Sequence, residues 1–581
     1  MKTAEFLPML VAIGLASATG SQPNIVMTLG SGLGWGDIGA NNLYEKNTPN
    51  IDKLASNGIN YFDYHIGGNT AGPSMAALLT GRMSQRTGVR KDFTPKSIGG
   101  IPGTEKTIAD YLKAEGYMTG FIGVWDLGHE ENFLPTAHGF DYFYGTPFEP
   151  SMGCVQASNS YMPGCVQLDN RNCGDSLANV PLMVNTEIIE QPVTMTNLSV
   201  SMLYAKANKF IDEAISNEQP FFLIISPSEI SLPATILPEG IPTKVDLLRQ
   251  LDSMVAATQE ILETRGILDS SISMFSTRTG PKMADCDFSG DTTPFLGLWQ
   301  TNADPYSSAG CGSNWEGALR VPFIMSLPDL VQTPYVNKQL KSAVDVLPTI
   351  AEIVGINLPT DRTFDGMSLT YDFNASVPYL LPDTTQRILY FQEPDTDEIF
   401  VIRMENLKIY FRSSGSKKCG SSYDPSGIYT YHEYPVVFDL LEDKSEFNNI
   451  TYNSFQLERF IEWKSRGDKW FKNDLGLKSV VDYTESEDAI PCCSDICTCQ
   501  SQPPLHDLML LMFNRSNLVE IEVYKEAHSH MIPTYGLVII CIGASAILIL
   551  VAYKTWNACD LVSLNILFNI VFLIESLDLD P

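Results

Sequence analysis

Apolar and polar positions in the first half of the chain fall into two alternating rhythms. Nearly unbroken apolar runs occur at Asn24–Leu29 (NIVMTL), Tyr117–Gly123 (YMTGFIG), Pro220–Ser226 (PFFLIIS) and Ser271–Thr277 (SISMFST). Runs of this length without alternation predict strands covered on both faces, as in a mostly parallel sheet. Segments with helical spacing lie between them. Thr48–Ser56 starts with Thr-Pro, Thr104–Glu115 opens TEKT, Ser201–Ser216 follows a polar turn, and Lys244–Arg265 is long and periodic. The alternation predicts an α/β domain whose functional residues sit at the C-terminal ends of the strands. After about Asp372 the rhythm changes to EIFVIRMENLKIYFRS and PVVFDLL, then a short helix near Phe455–Arg466. That pattern predicts a smaller α+β domain bearing an antiparallel sheet.

The two ends carry longer apolar segments. Residues 1–18 (MKTAEFLPMLVAIGLASA) combine a basic start, a short apolar run and an Ala-Ser-Ala ending, the features of a cleaved secretory signal. Tyr535–Tyr553 (YGLVIICIGASAILILVAY) has no charge and, as a helix, would cross a ~30 Å hydrocarbon layer. The expectation is a membrane helix over 533–553, with Lys554 on the cytoplasmic side. Leu561–Ile574 is shorter and contains Asn565 and Asn569, compatible with an interfacial segment, a hairpin or a poor span. The chain closes on ESLDLDP, unlike the apolar tail of a removable lipid-anchor signal. The expected layout is thus a larger domain over 22–371, a smaller one over 372–500 with a cysteine-rich end, a juxtamembrane segment over 501–532, the helix, and a tail over 554–581.

Cysteine usage fits an oxidising compartment. Of twelve cysteines, Cys541 and Cys559 accompany the apolar run. The others, Cys154, Cys165, Cys173, Cys286, Cys311, Cys419, Cys492, Cys493, Cys497 and Cys499, are even in number and are disulfide candidates. The last four have no nearby histidine, which favours disulfides over a zinc site. Asn-X-Ser/Thr sequons at Asn197, Asn374, Asn449 and Asn514 are glycosylation candidates in the same compartment.

With 581 residues, 44% of them apolar and 18% charged, the chain is long enough for one large core and a smaller one. Its net charge of -30 excludes nucleic acid as a partner and supplies no diffuse attraction for anionic ligands.

A series of ordered motifs resembles the sulfatase family, and within it the arylsulfatase A type, from Pro23 to Cys499. NIVMTLGSGLGWGD at Asn24–Asp37 resembles the family's first strand and metal loop, and TPNIDKLASNG follows it. GPSMAALLTGR at Gly72–Arg82 is similar to the nucleophile signature. GYMTGFIGVWDLG at Gly116–Gly128, HGFDYFYGTPF at His138–Phe148, WEGALRVPFIM at Trp315–Met325, DVLPTIAEIVG at Asp345–Gly355 and the tail CCSDICTC keep the family's order and spacing. The resemblance implies an alkaline-phosphatase-like α/β/α sandwich with a small C-terminal domain. It also implies a calcium ion and a formylglycine, made from a Cys or Ser at a helix start where amide N–H groups and the cation stabilise developing negative charge.

Carried over residue by residue, the reactive positions have changed. The formylglycine precursor falls on Ala71 and the signature arginine on Met75. The paired metal aspartates fall on Ser31 and Gly32, and the later Asp-Asn metal pair on Arg278 and Thr279. The Lys and His of the family's Gly-Lys-Trp-His-Leu-Gly segment fall on Val124 and Asp126, and its His-X-His on Glu229 and Ser231. The last family lysine falls on Cys311 without a gap; with a two-residue deletion Cys311 becomes the family's structural cysteine, a partner for Cys419.

These replacements imply a chain without formylglycine or calcium, and so a sulfatase-like pseudoenzyme. Its roles would be those of a membrane-anchored binding or scaffold protein, or a subunit beside an active sulfatase. The alternative is an active arylsulfatase, as whole-chain resemblance implies. Arg278 is a candidate holder of a sulfate or carboxylate, with a sulfated glycan or glycolipid as ligand, while Asp126, Glu229 and Arg278 are expected as a structural ion-pair cluster replacing the metal's charge in preference to a new catalytic carboxylate pair. Thr70 and Ser74 flank Ala71, but a hydroxyl nucleophile needs a base or metal to activate it. Asp37, Arg82, Trp125, His129, His138 and Trp315 are expected to serve packing and structure.

Overall fold

The computed structural model describes residues 22–154, 178–228, 243–282, 289–303, 307–331, 334–373, 387–392, 398–417, 428–472, 479–486, 489–491 and 499–500, with two short segments, 535–538 and 551–554. They fall into two compact units, Met1–Ser501 and Gln502–Pro581. The signal-like residues 1–18, the sequons at Asn374 and Asn514, and Glu229, Ser231, Cys165, Cys173, Cys286, Cys419, Cys492, Cys493 and Cys497 lie outside the described residues.

The first unit is built on an eleven-stranded mixed sheet. The four apolar runs form Ser271–Thr277, Asn24–Gly30, Phe221–Ser226 and Met118–Val124, adjacent in that order and all parallel. Tyr142–Thr146 adds a fifth parallel strand. Strand alternation gives each face its own core. Ile25, Met27, Phe222 and Ile224 pack with Met75, Leu112 and Leu347 on one side, while Val26, Leu223 and Ile225 pack with Leu203, Phe210 and Met254 on the other. Both faces being dry, the runs need no polar alternation.

Helices form where capping and periodicity agree. Thr48 precedes the Pro49–Ser56 helix, Ser199 caps Val200–Ser216 by accepting from Met202 N, and Thr243 with Asp246 makes a capping box for Lys244–Thr264. The TEKT helix starts later than the sequence predicts, at Ile108, because Thr107 and Asp110 form the box and not Thr104.

The smaller antiparallel sheet joins Ile388–Gln392, Ile399–Met404, Leu407–Lys417 and Ile428–Asp439, with Ser307–Ser308 added at its edge. The Ser454–Lys472 helix covers it through Phe460, Trp463 and Phe471. A buried ion-pair network ties this sheet to the Glu316–Leu319 helix and the segment 63–65. Lys408 Nζ lies 2.7 Å from Glu316 Oε1, Arg403 Nη2 2.8 Å from Asp63 Oδ2, and His65 Nε2 3.1 Å from Glu316.

The expected membrane helix is corrected by the structure. The ends of the apolar run are strands, Tyr535–Val538 and Val551–Lys554, paired antiparallel with Tyr535 opposite Lys554. A continuous helix over this run would hold its ends roughly 27 Å apart at 1.5 Å per residue, so it cannot bring them side by side. Among the described residues no helix is long and apolar enough to cross a membrane, which overturns attachment through a C-terminal helix.

Candidate functional site

The C-terminal ends of the five parallel strands converge on Arg278. Its backbone N–H donates to Gly30 O (2.8 Å), at the end of the first strand. Its guanidinium donates to the Asp126 carboxylate, to Glu149 Oε2 (2.8 Å) and to Pro227 O (3.1 Å). Asp126 follows Met118–Val124, Glu149 follows Tyr142–Thr146, and Pro227 follows Phe221–Ser226, so one residue, through its side chain and its backbone amide, joins all five strand ends. Arg278 is 1% exposed. Burial pushes its guanidinium down to about 9, still above neutral, and nearby Asp92 opposes that fall. It therefore stays charged at physiological pH.

Asp126 reaches this position through a left-handed backbone, φ 65°, which costs a non-glycine residue about 1–3 kcal/mol. Its N–H donates to Pro147 O (3.1 Å), and the preceding Trp125 is fixed by Nε1 donating to Phe133 O (2.7 Å). The expected Asp126–Arg278 pair thus exists. Its second carboxylate is Glu149, which the sequence reading did not single out. The available signal was position: like Asp126, Glu149 lies just past the C-terminal end of a parallel strand.

Beside the cluster begins the buried Ala71–Thr80 helix, with Thr70 as N-cap and Gly81 ending it at φ 66°. Asp92 accepts from Gly72 N at 2.7 Å, placing a carboxylate at the positive end of this helix. Burial raises the Asp92 carboxyl, whereas the Gly72 amide, the Thr70 hydroxyl, Lys282 and Arg278 pull it down. A Cβ on Gly72 would stand 3.4 Å from both Asp126 O and Asp92 Cα, so the helix start and the Arg278 cluster form one site. Asp92 comes from a loop, and nothing in the sequence marked it.

The other residues that the resemblance aligned with reactive positions lie as follows. Ala71 contributes a methyl group, Met75 and Val124 are core residues at 0% exposure, and Ser74 is buried within the helix. Ser31 Oγ and Thr279 Oγ1 lie 3.3 Å apart, and Gly32 N donates to Thr279 Oγ1 at 2.9 Å. Calcium takes six to eight oxygens, several from carboxylates. Ser31, Gly32 and Thr279 offer no carboxylate, Arg278 brings a cation, and Asp126 and Glu149 are engaged by it. This donor set does not fit the ion. A sulfate at Arg278 would have to displace two carboxylates.

The other singled-out residues hold structure. Buried Asp37 pairs with Lys244 (2.6 Å) and accepts from Gly34 N and Asp291 N. Arg82 pairs with Glu105 at 3.0 Å, His129 Nε2 lies 2.7 Å from Ala489 O, and burial lowers His138 to about 4. Trp315 stacks on Tyr410 with ring centroids 4.3 Å apart. Cys311 is buried with Sγ 3.4 Å from Asn69 O, beside the start of the Ala71–Thr80 helix. Cys154 and Cys499 lie in short strands, Gly153–Cys154 and Cys499–Gln500. Asp63, His65 and Glu316 bring metal-ligating atoms within 4.8 Å of one another, and Lys408, Arg403 and Arg320 already pair with these carboxylates.

The fold and site define an α/β protein whose buried strand ends are joined by an internal ion-pair cluster. The Sulfatase family model matches residues 23–356, and the chain belongs to that family. It is 32% identical to arylsulfatase G of Mus musculus over 87% of this chain and 98% of that protein. Arylsulfatase A of Bos taurus is also 32% identical, over 78% of this chain and 87% of its own length. Among solved structures, the PsFucS1 sulfatase from Pseudoalteromonas sp. superposes with a TM-score of 0.61 at 23% identity, covering 78% of this chain and 91% of that one.

Proposed function

We propose that this sulfatase-family protein does not hydrolyse sulfate esters and acts instead as a binding or scaffold protein in the lumen of the secretory pathway. The observation that carries the reading is the Arg278 guanidinium held by Asp126 and Glu149 at a family metal position. Formylglycine chemistry needs an oxidisable side chain where Ala71 stands, and charge neutralisation by a cation where Ser31, Gly32, Arg278 and Thr279 stand. Lumenal placement rests on the signal-like start and the cysteine usage.

The test measures divalent-metal content and chromogenic aryl sulfate hydrolysis of the purified protein, beside a variant carrying Ala71→Cys, Ser31→Asp, Gly32→Asp, Arg278→Asp and Thr279→Asn. The native protein is expected to be metal-free and inactive, and the variant to take up calcium. Calcium-dependent turnover by the native protein overturns the proposal.

The second reading, an active sulfuric ester hydrolase, is favoured by relatives named arylsulfatase G and arylsulfatase A. It would draw its nucleophile from Thr70, the N-cap of the helix whose Gly72 N–H donates to Asp92. Its mark is native aryl sulfate turnover that Thr70→Val abolishes.

A further inference from the structure

The loop between the Ile428–Asp439 strand and the Ser454–Lys472 helix carries one of the four sequons, Asn449-Ile450-Thr451, on a firmly held frame. Asp443 Oδ2 accepts from both Phe447 N (2.8 Å) and Asn448 N (2.7 Å), and Ile450 N donates to Val437 O (2.8 Å). Glu446, at φ 53°, turns its side chain into the buried network, where it accepts from Tyr410 Oη at 2.6 Å. The next residue, Phe447, is left 47% exposed two positions before the exposed Asn449. The ring is thus held outward by a pinned backbone. Leu441 and Phe455, earlier and later in the same connection, are also exposed.

The other described sequon differs. The Asn197 side-chain amide donates to Glu190, whose other carboxylate oxygen accepts from Thr194 N at 2.8 Å, and Asn197 O accepts from Tyr144 Oη at 3.0 Å. A glycan on that nitrogen would have to fit a half-buried amide already held by a carboxylate.

We infer that Asn449 is an N-glycosylation site whose first sugar packs against Phe447, and that Asn197 stays unmodified. In the transfer, the Asn449 Nδ2 bonds to the anomeric carbon of a polyisoprenyl-diphosphate oligosaccharide. The bond from that carbon to the diphosphate oxygen breaks, the lipid diphosphate leaves with the electron pair, and the amide gives up one proton to the transferring enzyme's base. A pyranose C–H face then covers the exposed ring, which buries apolar surface and places weakly positive C–H bonds on the ring's negative face.

The test expresses the full chain in a eukaryotic secretory host and maps each sequon by glycopeptide mass spectrometry before and after enzymatic removal of N-glycans. Asn449 is expected to be occupied and Asn197 bare. Thr451→Ala should remove one glycan's worth of electrophoretic shift, and Thr451→Ser, which keeps the sequon, should retain it. Phe447→Ser should lower occupancy at Asn449 while the other sequons keep theirs. Asn449 bare while Asn374 or Asn514 is occupied overturns the site directly. So does a chain with no occupied sequon. Occupied Asn197, or a Phe447→Ser protein with unchanged Asn449 occupancy, overturns the selection and the role of the ring respectively.

Discussion

Replacing Arg278 by methionine tests whether its guanidinium holds the strand ends together. The native side chain makes hydrogen bonds to Asp126, Glu149 and Pro227 O at 1% exposure. Methionine is of similar length, so the lost energy is electrostatic and not a cavity. With Arg278 gone, Asp126 and Glu149 lose its positive charge in a dry site. Breaking a buried pair by removing one partner costs about 3–5 kcal/mol, and the orphaned Pro227 carbonyl adds roughly 1 kcal/mol. The expected destabilisation is therefore on the order of 4–6 kcal/mol. The assay is equilibrium denaturation of the full chain, reading the midpoint at constant slope. The decisive companion is Arg278→Met with Asp126→Asn and Glu149→Gln. Exchanging a whole buried ionic set for neutral groups is often close to neutral, so the triple variant should recover most of the loss. If the single variant cost less than about 1 kcal/mol, or the triple variant were no more stable than the single, the cluster would not be what joins these strands.

Glu446 gives a pH prediction. Burial, with Glu316 adding to it and Lys408 opposing, raises its carboxyl from 4.5 to about 7. Its folded value exceeds its unfolded one, so this contribution to stability is full below about pH 4.5 and is lost as pH rises through 7, on the order of 3 kcal/mol. Glu446→Gln imitates the protonated form and should match the native protein near pH 5 yet exceed its stability near pH 8. His65, lowered by burial, titrates in both proteins and cancels in the difference; a pH-independent difference would refute the assignment. Asp92→Ala should cost about 1–2 kcal/mol, because Gly72 N loses its acceptor at a helix start. Asp92→Asn, whose amide oxygen still accepts, should recover part of this in thermal unfolding; equal losses for the two would show that the cap is not what matters.

The central sheet was legible because a strand covered on both faces must be apolar throughout. Asn24–Gly30, Met118–Val124, Phe221–Ser226 and Ser271–Thr277 meet that demand side by side. The flanking strands Ile59–Tyr61 and Ile324–Ser326 were not legible, since three residues cannot display a period. In the site, Asp126 and Arg278 were marked by opposite charges on family positions, whereas Glu149 and Asp92 stand on positions that no motif flagged. The C-terminal run misled for a related reason. An uncharged stretch of Ile, Leu and Val suits a helix or a pair of strands equally well, and Gly543 and Ser545 near its middle belong to the vocabulary of turns.

On the proposed reading, the cluster also bears on how such a fold persists without a metal at its strand ends. Strand ends in a parallel sheet bring acidic and polar groups together from separate segments, and a divalent cation can neutralise what collects there. A guanidinium supplies half that charge, but it has five donors in a fixed plane, matched to carboxylates and carbonyls. Arg278 uses that geometry on Asp126, Glu149 and Pro227, while its own amide holds Gly30. On the proposed reading, in which Arg278 stands at a metal position, the residue that offers no oxygen ligand is also the group able to hold the strand ends together. The proposed function then predicts that calcium chemistry requires taking that group out, so Ala71→Cys alone should give no aryl sulfate turnover.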